Sequence, residues 1–207
     1  MQTAAAVVKR GRERTPGATR AAILAAAEEL LARGGEGGFS VRELCARTGV
    51  TPPTIYHHFG DKGSLVDRIV DQCFADFDRS MDRRRRPSDP VELTRWAFDR
   101  YVEFARWFPT HYRVMFQRRG VRPTPGGLES YGRLRALVTS IDEAGRLTVP
   151  VEDATAALWA GMHGVASLVI ARALKGGGAA AQLVRDSLIA HLTRPAPRRR
   201  RRRRNGT

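Results

Sequence analysis

The sequence predicts an all-α protein of about nine helices, and three observations lead to that fold class. Apolar residues recur every three or four positions through most of the chain, which is the spacing of an amphipathic helix. Clusters of proline and glycine separate these segments. No stretch has the persistent alternation of apolar and polar residues that a half-buried strand requires. We therefore expect a three-helix domain over residues 18–63 and a larger helical domain over residues 64–193.

The length and the charge of the chain limit the partners that it can have. With 207 residues and a hydrophobic fraction of 42%, the chain can bury the cores of one small and one larger domain. The net charge of +15 is uneven, because Arg198–Arg204 contribute seven positive charges and residues 9–14 a net three. About a third of the excess therefore belongs to the folded body. A basic balance favours nucleic acid or an acidic surface as partner, without choosing between them.

Both ends of the sequence are predicted to be disordered. Residues 1–17 form a basic leader, which is either a solvated segment or an arm that touches phosphates or the minor groove. Residues 194–207 carry the arginine run, which is expected to raise non-specific DNA affinity and its salt dependence. The leader lacks the apolar core of a signal peptide, and no segment approaches the roughly 20 apolar residues of a membrane span. These features predict a cytoplasmic protein without a membrane partner.

An amphipathic helix is predicted at the start of the N-terminal domain. Thr19 opens it, and Gly34 and Gly35 end it. One side of this helix is apolar and carries Ile23, Leu24, Ala27, Leu30 and Leu31. We expect this helix to cover the next two helices from behind.

Residues 39–62 are the motif around which the chain is organised, two short helices joined by a tight turn. Ser40 and Glu43 have the spacing of a capping box at the start of the first helix. Gly49 ends that helix, because glycine can adopt the left-handed conformation that a sharp exit needs. The pattern therefore predicts helix, turn and helix within about twenty residues.

The second motif helix is predicted to have a polar outer side. Thr51 is placed to cap this helix, and Pro52 lies at its first position, where a missing N–H costs nothing. The outer side carries short or planar hydrogen-bonding side chains and no carboxylate: Thr51, Thr54, Tyr56, His57 and His58. Such a surface suits base edges and phosphates.

This motif resembles the DNA-binding segment of the tetracycline-repressor (TetR/AcrR) family of transcriptional regulators. The matching residues are Leu44-Cys45-Ala46 and Gly49-Val50, followed by Thr54-Ile55-Tyr56-His57-His58-Phe59, Lys62 and Leu65. The sequence departs from the family pattern at Cys45, where alanine is usual, and at Pro52-Pro53, where a polar contact residue often stands.

The resemblance implies which residues contact DNA: Arg42, Thr51, Pro52, Thr54, Tyr56, His57 and Lys62. Arg42 has the fork geometry for a guanine edge or a phosphate, and Lys62 is expected to meet a phosphate. For Tyr56 the alternative is a partly packed ring with its hydroxyl in solvent, and His58 is expected to pack inward. One short helix reads few base pairs, so a homodimer is expected, with its reading helices about 34–36 Å apart, or a multiple, on a palindromic operator.

Six helices are predicted in the larger domain. They span residues 64–86, 90–108, 110–118, 128–144, 151–174 and 179–192, with a loop over residues 119–127. Arg83–Arg86 are expected at the negative end of the first of these helices, with phosphate contact as the alternative. Many small residues in 154–166 allow close helix packing, so the helices within 151–192 are expected to form the homodimer interface. The alternative is that these helices are the core of a monomer.

Aromatic and sulfur-containing side chains in the larger domain predict a ligand pocket. Eight residues are candidates: Phe74, Trp96, Tyr101, Tyr112, Met115, Trp159, Met162 and His163. As a set they suit a small apolar or aromatic effector, with His163 or His111 as a polar handle, and for each alone core packing is the alternative. The spacing of Trp159 and His163-Gly164 resembles a tryptophan–histidine–glycine signature found in one subgroup of the family.

The sequence therefore predicts a ligand-responsive transcriptional regulator, a repressor that binds a palindromic operator as a dimer. An enzyme is not expected, since the chain has no nucleophile elbow, phosphate loop or paired carboxylate site. Neither a cofactor nor a metal is expected, and Cys45 and Cys73 are predicted to be reduced, buried thiols. The basic termini suggest an alternative, a nucleoid-type protein that coats DNA without sequence preference.

Overall fold

The computed structural model describes residues 16–82, 85–116, 123–174 and 177–195. Within these ranges the protein is all-α, as predicted, with nine helices and no strand. The helices are α1 (Pro16–Gly38), α2 (Val41–Thr48), α3 (Pro52–Phe59), α4 (Lys62–Asp82), α5 (Pro90–Trp107), α6 (Pro109–Phe116), α7 (Pro125–Glu143), α8 (Val151–Ile170) and α9 (Gly177–Leu192). None of these nine helices is both long and apolar enough to span a membrane. The chain divides into two compact units, the first ending at Ile69 and the second beginning at Val70.

The first helix begins earlier than predicted. Pro16 opens α1 ahead of Thr19, because proline is tolerated in the first turn of a helix. The helix extends to Gly38 but breaks at Gly35, whose φ of 61° lies in the left-handed region. Disorder is predicted for residues 1–17 and 194–207; of these, residues 16 and 17 lie in α1, and residues 1–15 and 196–207 fall outside the described residues.

The core of the first unit fixes which side of α3 faces outward. α1 packs on α2, and α2 packs on α3. The apolar sides of the helices meet in a core of buried side chains that includes Ile23, Ala27, Leu30, Leu31, Leu44, Ile55 and Phe59. Ile55 and Phe59 lie one turn apart, so they place one side of α3 in the core and leave the opposite side free.

An acidic cap determines where α4 begins. The Asp61 carboxylate accepts the Ser64 N–H at 2.7 Å, and this hydrogen bond lowers the pKa of Asp61. The helix therefore begins at Lys62, slightly before the predicted start.

The predicted end of α4 at Arg86 is wrong. α4 ends at Asp82, and Arg85 and Arg86 are not helical. Pro87 accounts for the non-helical Arg86, because a proline disfavours the helical conformation in the residue before it. The Arg86 guanidinium lies 5.9 Å from the centre of the Trp96 ring rather than at a helix end. Arg83 and Arg84 fall outside the described residues.

α7 takes in the last three residues of the predicted 119–127 loop. The Thr124 hydroxyl accepts the Gly127 N–H at 3.3 Å, and the Asp71 carboxylate on α4 accepts the Gly126 N–H at 2.9 Å. These two acceptors satisfy N–H groups of the first turn, which explains why a proline- and glycine-rich segment is helical here. Residues 117–122 lie outside the described part of the chain.

α8 is the central helix of the second unit and packs against α5, α7 and α9. α5 also packs against α6, α7 and α9. The connection between α7 and α8 pairs with the chain that follows α9, through an isolated antiparallel bridge of Leu147 and Thr193. In the same connection the Arg146 guanidinium donates to Asp89, the N-cap of α5, at 2.6 Å. These bonds hold the end of α9 to the start of α5.

The last two helices have different bounds from those predicted. α8 ends at Ile170 rather than at residue 174, because Arg172 adopts a φ of 55° that a helix cannot contain. The Ala173 N–H closes the last turn on the Leu168 carbonyl at 3.0 Å. α9 begins at Gly177, two residues before the predicted start, and residues 175–176 are not among those described.

Candidate DNA-binding surface and ligand cavity

Hydrogen bonds at the ends of α2 set the course of the chain into α3. The Ser40 hydroxyl accepts the Glu43 N–H at 3.4 Å, which is one half of the predicted capping box. At the other end the Gly49 N–H donates to the Cys45 carbonyl at 2.9 Å. Gly49 has a φ of 71°, a conformation that residues with a side chain rarely adopt. A glycine is therefore required at this turn.

α3 exposes a polar side to solvent. Its residues Pro52, Pro53, Tyr56 and His57 are exposed, and Thr54 and His58 are half-buried. Tyr56 is 44% exposed. The His58 ring lies against the rings of His57 and Phe59, with centroids 5.5 and 6.1 Å away. Since α3 contains no carboxylate, this side presents hydrogen-bonding groups without a negative charge.

Thr51 does not cap α3 in the way that the sequence predicts. It occupies the N-cap position with extended backbone, but its side chain accepts no hydrogen bond from a backbone N–H of the first turn. Pro53, at the second helical position, has no N–H to offer, and the Thr51 hydroxyl lies 3.0 Å from the Thr54 hydroxyl. The two hydroxyls form one hydrogen-bonded pair at the start of the exposed side.

Two cations of the motif are open to a partner. Arg42 is exposed in the first turn of α2, and no hydrogen bond or ion pair engages it in the described part of the chain. Arg47 differs, because it forms ion pairs with Glu29 and Glu43, each at 3.3 Å. Lys62 is exposed at the first position of α4, with its Nζ 5.6 Å from the centre of the Phe39 ring. Arg42 and Lys62 therefore carry positive charge to the two ends of the exposed motif.

A cavity of about 520 Å³ lies in the second unit among α4, α5, α6, α7 and α8. Six of the eight predicted ligand residues line it: Phe74, Trp96, Tyr101, Met115, Trp159 and Met162. Its volume and its mostly apolar, aromatic walls are typical of sites for small molecules.

Tyr112 and His163 do not line this cavity, and they bond to each other instead. The Tyr112 hydroxyl lies 2.7 Å from His163 Nδ1 and 3.2 Å from the His163 carbonyl oxygen. The imidazole also stacks against Tyr112 and Trp159, with each pair of ring centroids 5.6 Å apart. Burial lowers the pKa of His163 and raises the pKa of Tyr112, so both side chains are neutral at pH 7.

The other predicted polar handle, His111, is also absent from the cavity lining. Its imidazole lies against the rings of Phe104 and Phe108 and 3.6 Å from the Asp76 carboxylate. Neither of the predicted histidine handles therefore lines this cavity, and each imidazole has contacts elsewhere.

Tyr101 is a buried aromatic residue that lines the cavity. The residue is 7% exposed, and its ring packs edge-on against Phe77 and Tyr112. Its hydroxyl is buried and lies near the Tyr112 hydroxyl. Burial, followed by the neighbouring Tyr112 hydroxyl, raises the pKa of Tyr101, so the phenol keeps its proton.

α8 and α9 leave an apolar surface exposed. Its large side chains are Trp159, Leu168, Leu183 and Val184, and small exposed residues accompany them at Ala156, Ala160, Gly164 and Ala190. Leu183 is 69% exposed. Next to this surface, Arg185 on α9 pairs with Asp99 on α5 at 2.5 Å, which ties α9 to the unit. Large apolar side chains exposed along two neighbouring helices suit an interaction surface.

The sequence prediction missed several residues that line the cavity. They are Phe77 on α4, Leu93 on α5, and Tyr131, Leu134 and Leu137 on α7. All of them belong to apolar stripes with helical spacing, and that spacing predicts burial without distinguishing a cavity wall from a filled core. Which side chains surround an empty space depends on how the helices pack.

Comparisons with known proteins match both units. Residues 23–69 match the family described as bacterial regulatory proteins of the tetR family. Residues 94–192 match the tetracyclin repressor-like C-terminal domain. This second match does not confirm the tryptophan–histidine–glycine subgroup suggested by Trp159 and His163.

The chain is 30% identical over 186 residues to the HTH-type transcriptional repressor SCO4008 of Streptomyces coelicolor, an alignment that covers 84% of this chain and 93% of that protein. It is 31% identical over 84 residues to the HTH-type transcriptional regulator UidR of Escherichia coli, and it spans only 41% of the length of UidR. The crystal structure of a TetR-like transcriptional regulator from Rhodococcus sp. RHA1 has the same fold, with a TM-score of 0.68 at 21% identity over 86% of this chain and 97% of that one.

These matches are to transcriptional regulators and repressors, and they do not support the alternative of a nucleoid-type protein that coats DNA. The family match in both units and the SCO4008 alignment over most of the chain agree with the helix-turn-helix geometry. The chain belongs to the TetR family of transcriptional regulators.

Proposed function

We propose that this protein is a repressor that binds a palindromic operator as a homodimer and leaves it when a small apolar effector binds. Residues 18–63 bind the DNA, and residues 64–193 hold the effector and the dimer interface. The observation that carries this proposal is the exposed side of α3, which is polar and free of carboxylates above a fully buried Ile55. Regulators of this family bind DNA, and they usually dimerise and bind small effectors, which supports the proposal.

In the proposed complex α3 enters the major groove. Tyr56 and His57 meet base edges or the phosphates beside them, and the hydroxyl pair of Thr51 and Thr54 does the same at the start of the helix. Pro52 is exposed at the first position of α3 and offers an apolar contact, such as a thymine methyl group requires.

Arg42 and Lys62 are proposed to hold the phosphate backbone on either side of α3. Both are exposed, and Lys62 lies at the N-terminus of α4, where the helix dipole also favours an anion. Such contacts fix the position of the reading helix and add affinity for any duplex, without selecting a sequence. The seven arginines of Arg198–Arg204 are proposed to add to this non-specific affinity for DNA.

Sequence selection is proposed to come from dimerisation through the apolar surface of α8 and α9. α3 has only eight residues, so one copy contacts few base pairs. Two copies that cover Leu168, Leu183 and Val184 against each other form a four-helix bundle. The two-fold axis then places two α3 helices on two half-sites about 34–36 Å apart, or a multiple of that distance.

The cavity is proposed to hold the effector. Effector binding favours a dimer geometry in which the two α3 helices no longer match the spacing of the half-sites, and the operator is released. The apolar walls of the cavity support an apolar effector, since they give a charged ligand little compensation for its lost hydration.

Selection from a random-sequence duplex library tests the proposal directly. The full chain is incubated with the library, bound duplexes are recovered over several rounds, and the enriched sequences are aligned. The proposal predicts an inverted repeat with half-sites centred about one helical turn apart or a multiple of it. Enrichment of a single non-repeated motif, or no enrichment at all, would contradict it.

A further inference from the structure

Trp159 belongs to two surfaces of the second unit. Its side chain lines the cavity, as does Met162 on the next turn of α8. Trp159 is also 41% exposed, and it stands beside Ala156 and Ala160 in the exposed apolar stripe of α8. Of the described residues that line the cavity, it is the one that also belongs to the apolar surface of α8 and α9.

Two aromatic rings of the same unit contact the indole of Trp159. The His163 imidazole lies nearly parallel to it, with ring centroids 5.6 Å apart and an angle of 21° between the planes. The Tyr131 ring on α7 meets it edge-on, with the centroids 6.3 Å apart, and Tyr131 is itself 37% exposed. These neighbours leave part of the indole uncovered, so a further partner can contact it.

The stripe of α8 that includes Trp159 faces open space. A Cβ added at Gly164, one turn beyond Ala160, would have no atom within 4 Å. A Cβ added at Gly161 would clash with Leu188 on α9, so that side of α8 is already filled. A second copy of the chain that packs on α8 along Ala160 and Gly164 therefore comes within reach of the exposed indole.

We propose that Trp159 couples dimerisation to effector binding, because its indole is a wall shared by the cavity and the dimer interface. The coupling rests on the proposed function, in which the cavity holds the effector and α8 and α9 hold the partner. In a single subunit the partly exposed indole loses side-chain freedom when an effector packs against it, and this loss opposes binding. In the dimer the partner has already fixed the indole, so the effector binds more tightly. Because coupling between two binding equilibria is reciprocal, the effector also strengthens the dimer.

Fluorescence titration of the full chain with N-phenyl-1-naphthylamine, a neutral apolar probe that brightens in apolar sites, tests this coupling. The probe is titrated into the wild-type dimer and into Leu183→Glu, the variant proposed to be monomeric, and sedimentation establishes the state of each. Both titrations are repeated with Trp159→Ala and with Trp96→Ala. Trp96 is the matched control, because it also lines the cavity but lies on α5, outside the apolar surface of α8 and α9.

The dimer is expected to bind the probe about tenfold more tightly than the monomer. Trp96→Ala should weaken binding to both forms and keep this ratio, whereas Trp159→Ala should bring the ratio close to one. A saturating probe concentration should lower the dimer dissociation constant of the wild type and of Trp96→Ala, but not that of Trp159→Ala. Trp159→Phe keeps an aromatic ring and should retain part of the ratio, and it replaces Trp159→Ala in the comparison if the latter does not form a dimer.

Two results would overturn the shared wall and leave the proposed function standing. One is equal probe affinity of the wild-type dimer and the monomer, and the other is a wild-type ratio in the Trp159 variants. Failure of the probe to bind either form would contradict the apolar effector of the proposed function, and the coupling with it. A Leu183→Glu variant that remains a dimer would likewise contradict the proposed interface.

Discussion

The Tyr112 hydroxyl on α6 lies 2.7 Å from Nδ1 of His163 on α8, and this contact joins two helices of the second unit around a neutral imidazole. The same imidazole stacks on Trp159, which lines the cavity. A proton on His163 would therefore place a charge in a half-buried aromatic stack.

This arrangement predicts that the protein loses stability in mildly acidic solution. Burial lowers the pKa of His163 below its ordinary value of 6.5. The unfolded chain then binds a proton more readily than the folded one, so the free energy of unfolding falls as the pH drops through and below 6.5. The melting temperature is expected to be lower at pH 5.5 than at pH 7.5, and this difference is expected to shrink in His163→Gln.

The control for this prediction is His191→Gln, which removes an exposed histidine from α9. Asp61 and Asp89 also have lowered pKa values, but they change the free energy of unfolding only at lower pH, because unfolded aspartates titrate near 3.8. If the difference in melting temperature between pH 7.5 and pH 5.5 is as large in His163→Gln as in the wild type, another group causes the loss of stability.

A second prediction concerns the reading helix. Tyr56→Phe removes one hydroxyl from the exposed side of α3 and should weaken specific operator binding by about 1–3 kcal/mol. Tyr131→Phe makes the same chemical change at a similarly exposed tyrosine of α7 and should leave operator binding unchanged. Fluorescence anisotropy with the selected inverted repeat measures both. Equal affinity of the Tyr56 variant and the wild type would mean that Tyr56 does not contact the operator.

The dimer interface yields a third prediction. Leu183→Glu places a carboxylate in the apolar surface of α8 and α9, and an unpaired charge in an interface costs about 2 kcal/mol or more. The dimer dissociation constant should rise at least about 30-fold in sedimentation experiments. Leu128→Glu, at a leucine of α7 that is 59% exposed, should leave the dimer intact. If both variants sediment like the wild type, the subunits associate through another surface.

A fourth prediction tests the packing of α7 on α4. A Cβ added at Gly126 would lie 2.8 Å from the Asp71 carboxylate and 3.3 Å from the Phe74 Cβ. Gly126→Ala should therefore lower the free energy of unfolding by about 1–3 kcal/mol in urea. Gly132→Ala, in the same helix with nothing near the new methyl group, should raise it by about 0.5–1 kcal/mol. Stabilisation by both substitutions would show that α7 does not approach α4 so closely.

The sequence determines the helix-turn-helix well, because its structural elements are local. Ser40 and Gly49 fall at the two ends of α2, where cap and turn residues were expected. The exposed side of α3 follows from the burial of Ile55 and Phe59, which helical spacing alone predicts. The exception is Thr51, whose hydroxyl pairs with the Thr54 hydroxyl instead of accepting a backbone N–H of the first turn.

The second unit is harder to predict, since its features depend on contacts between distant residues. The start of α7 depends on Asp71, which caps a helix that begins more than fifty residues later. The cavity depends on which of many aromatic side chains surround an empty space. The apolar stripe of α5 contains both Trp96, which lines the cavity, and Phe104, which does not, and helical spacing does not distinguish them. The engagement of His163 by Tyr112 likewise appears only when α6 and α8 come together.

The central claim is that this protein selects one DNA sequence, and the affinity ratio between two duplexes tests it most directly. The full chain is titrated at physiological salt with the selected inverted repeat and with a scrambled duplex of the same length and composition. A sequence-specific repressor should prefer the inverted repeat by at least about 10³-fold. Equal affinity for the two duplexes would contradict the claim and would point to binding through basic charge alone.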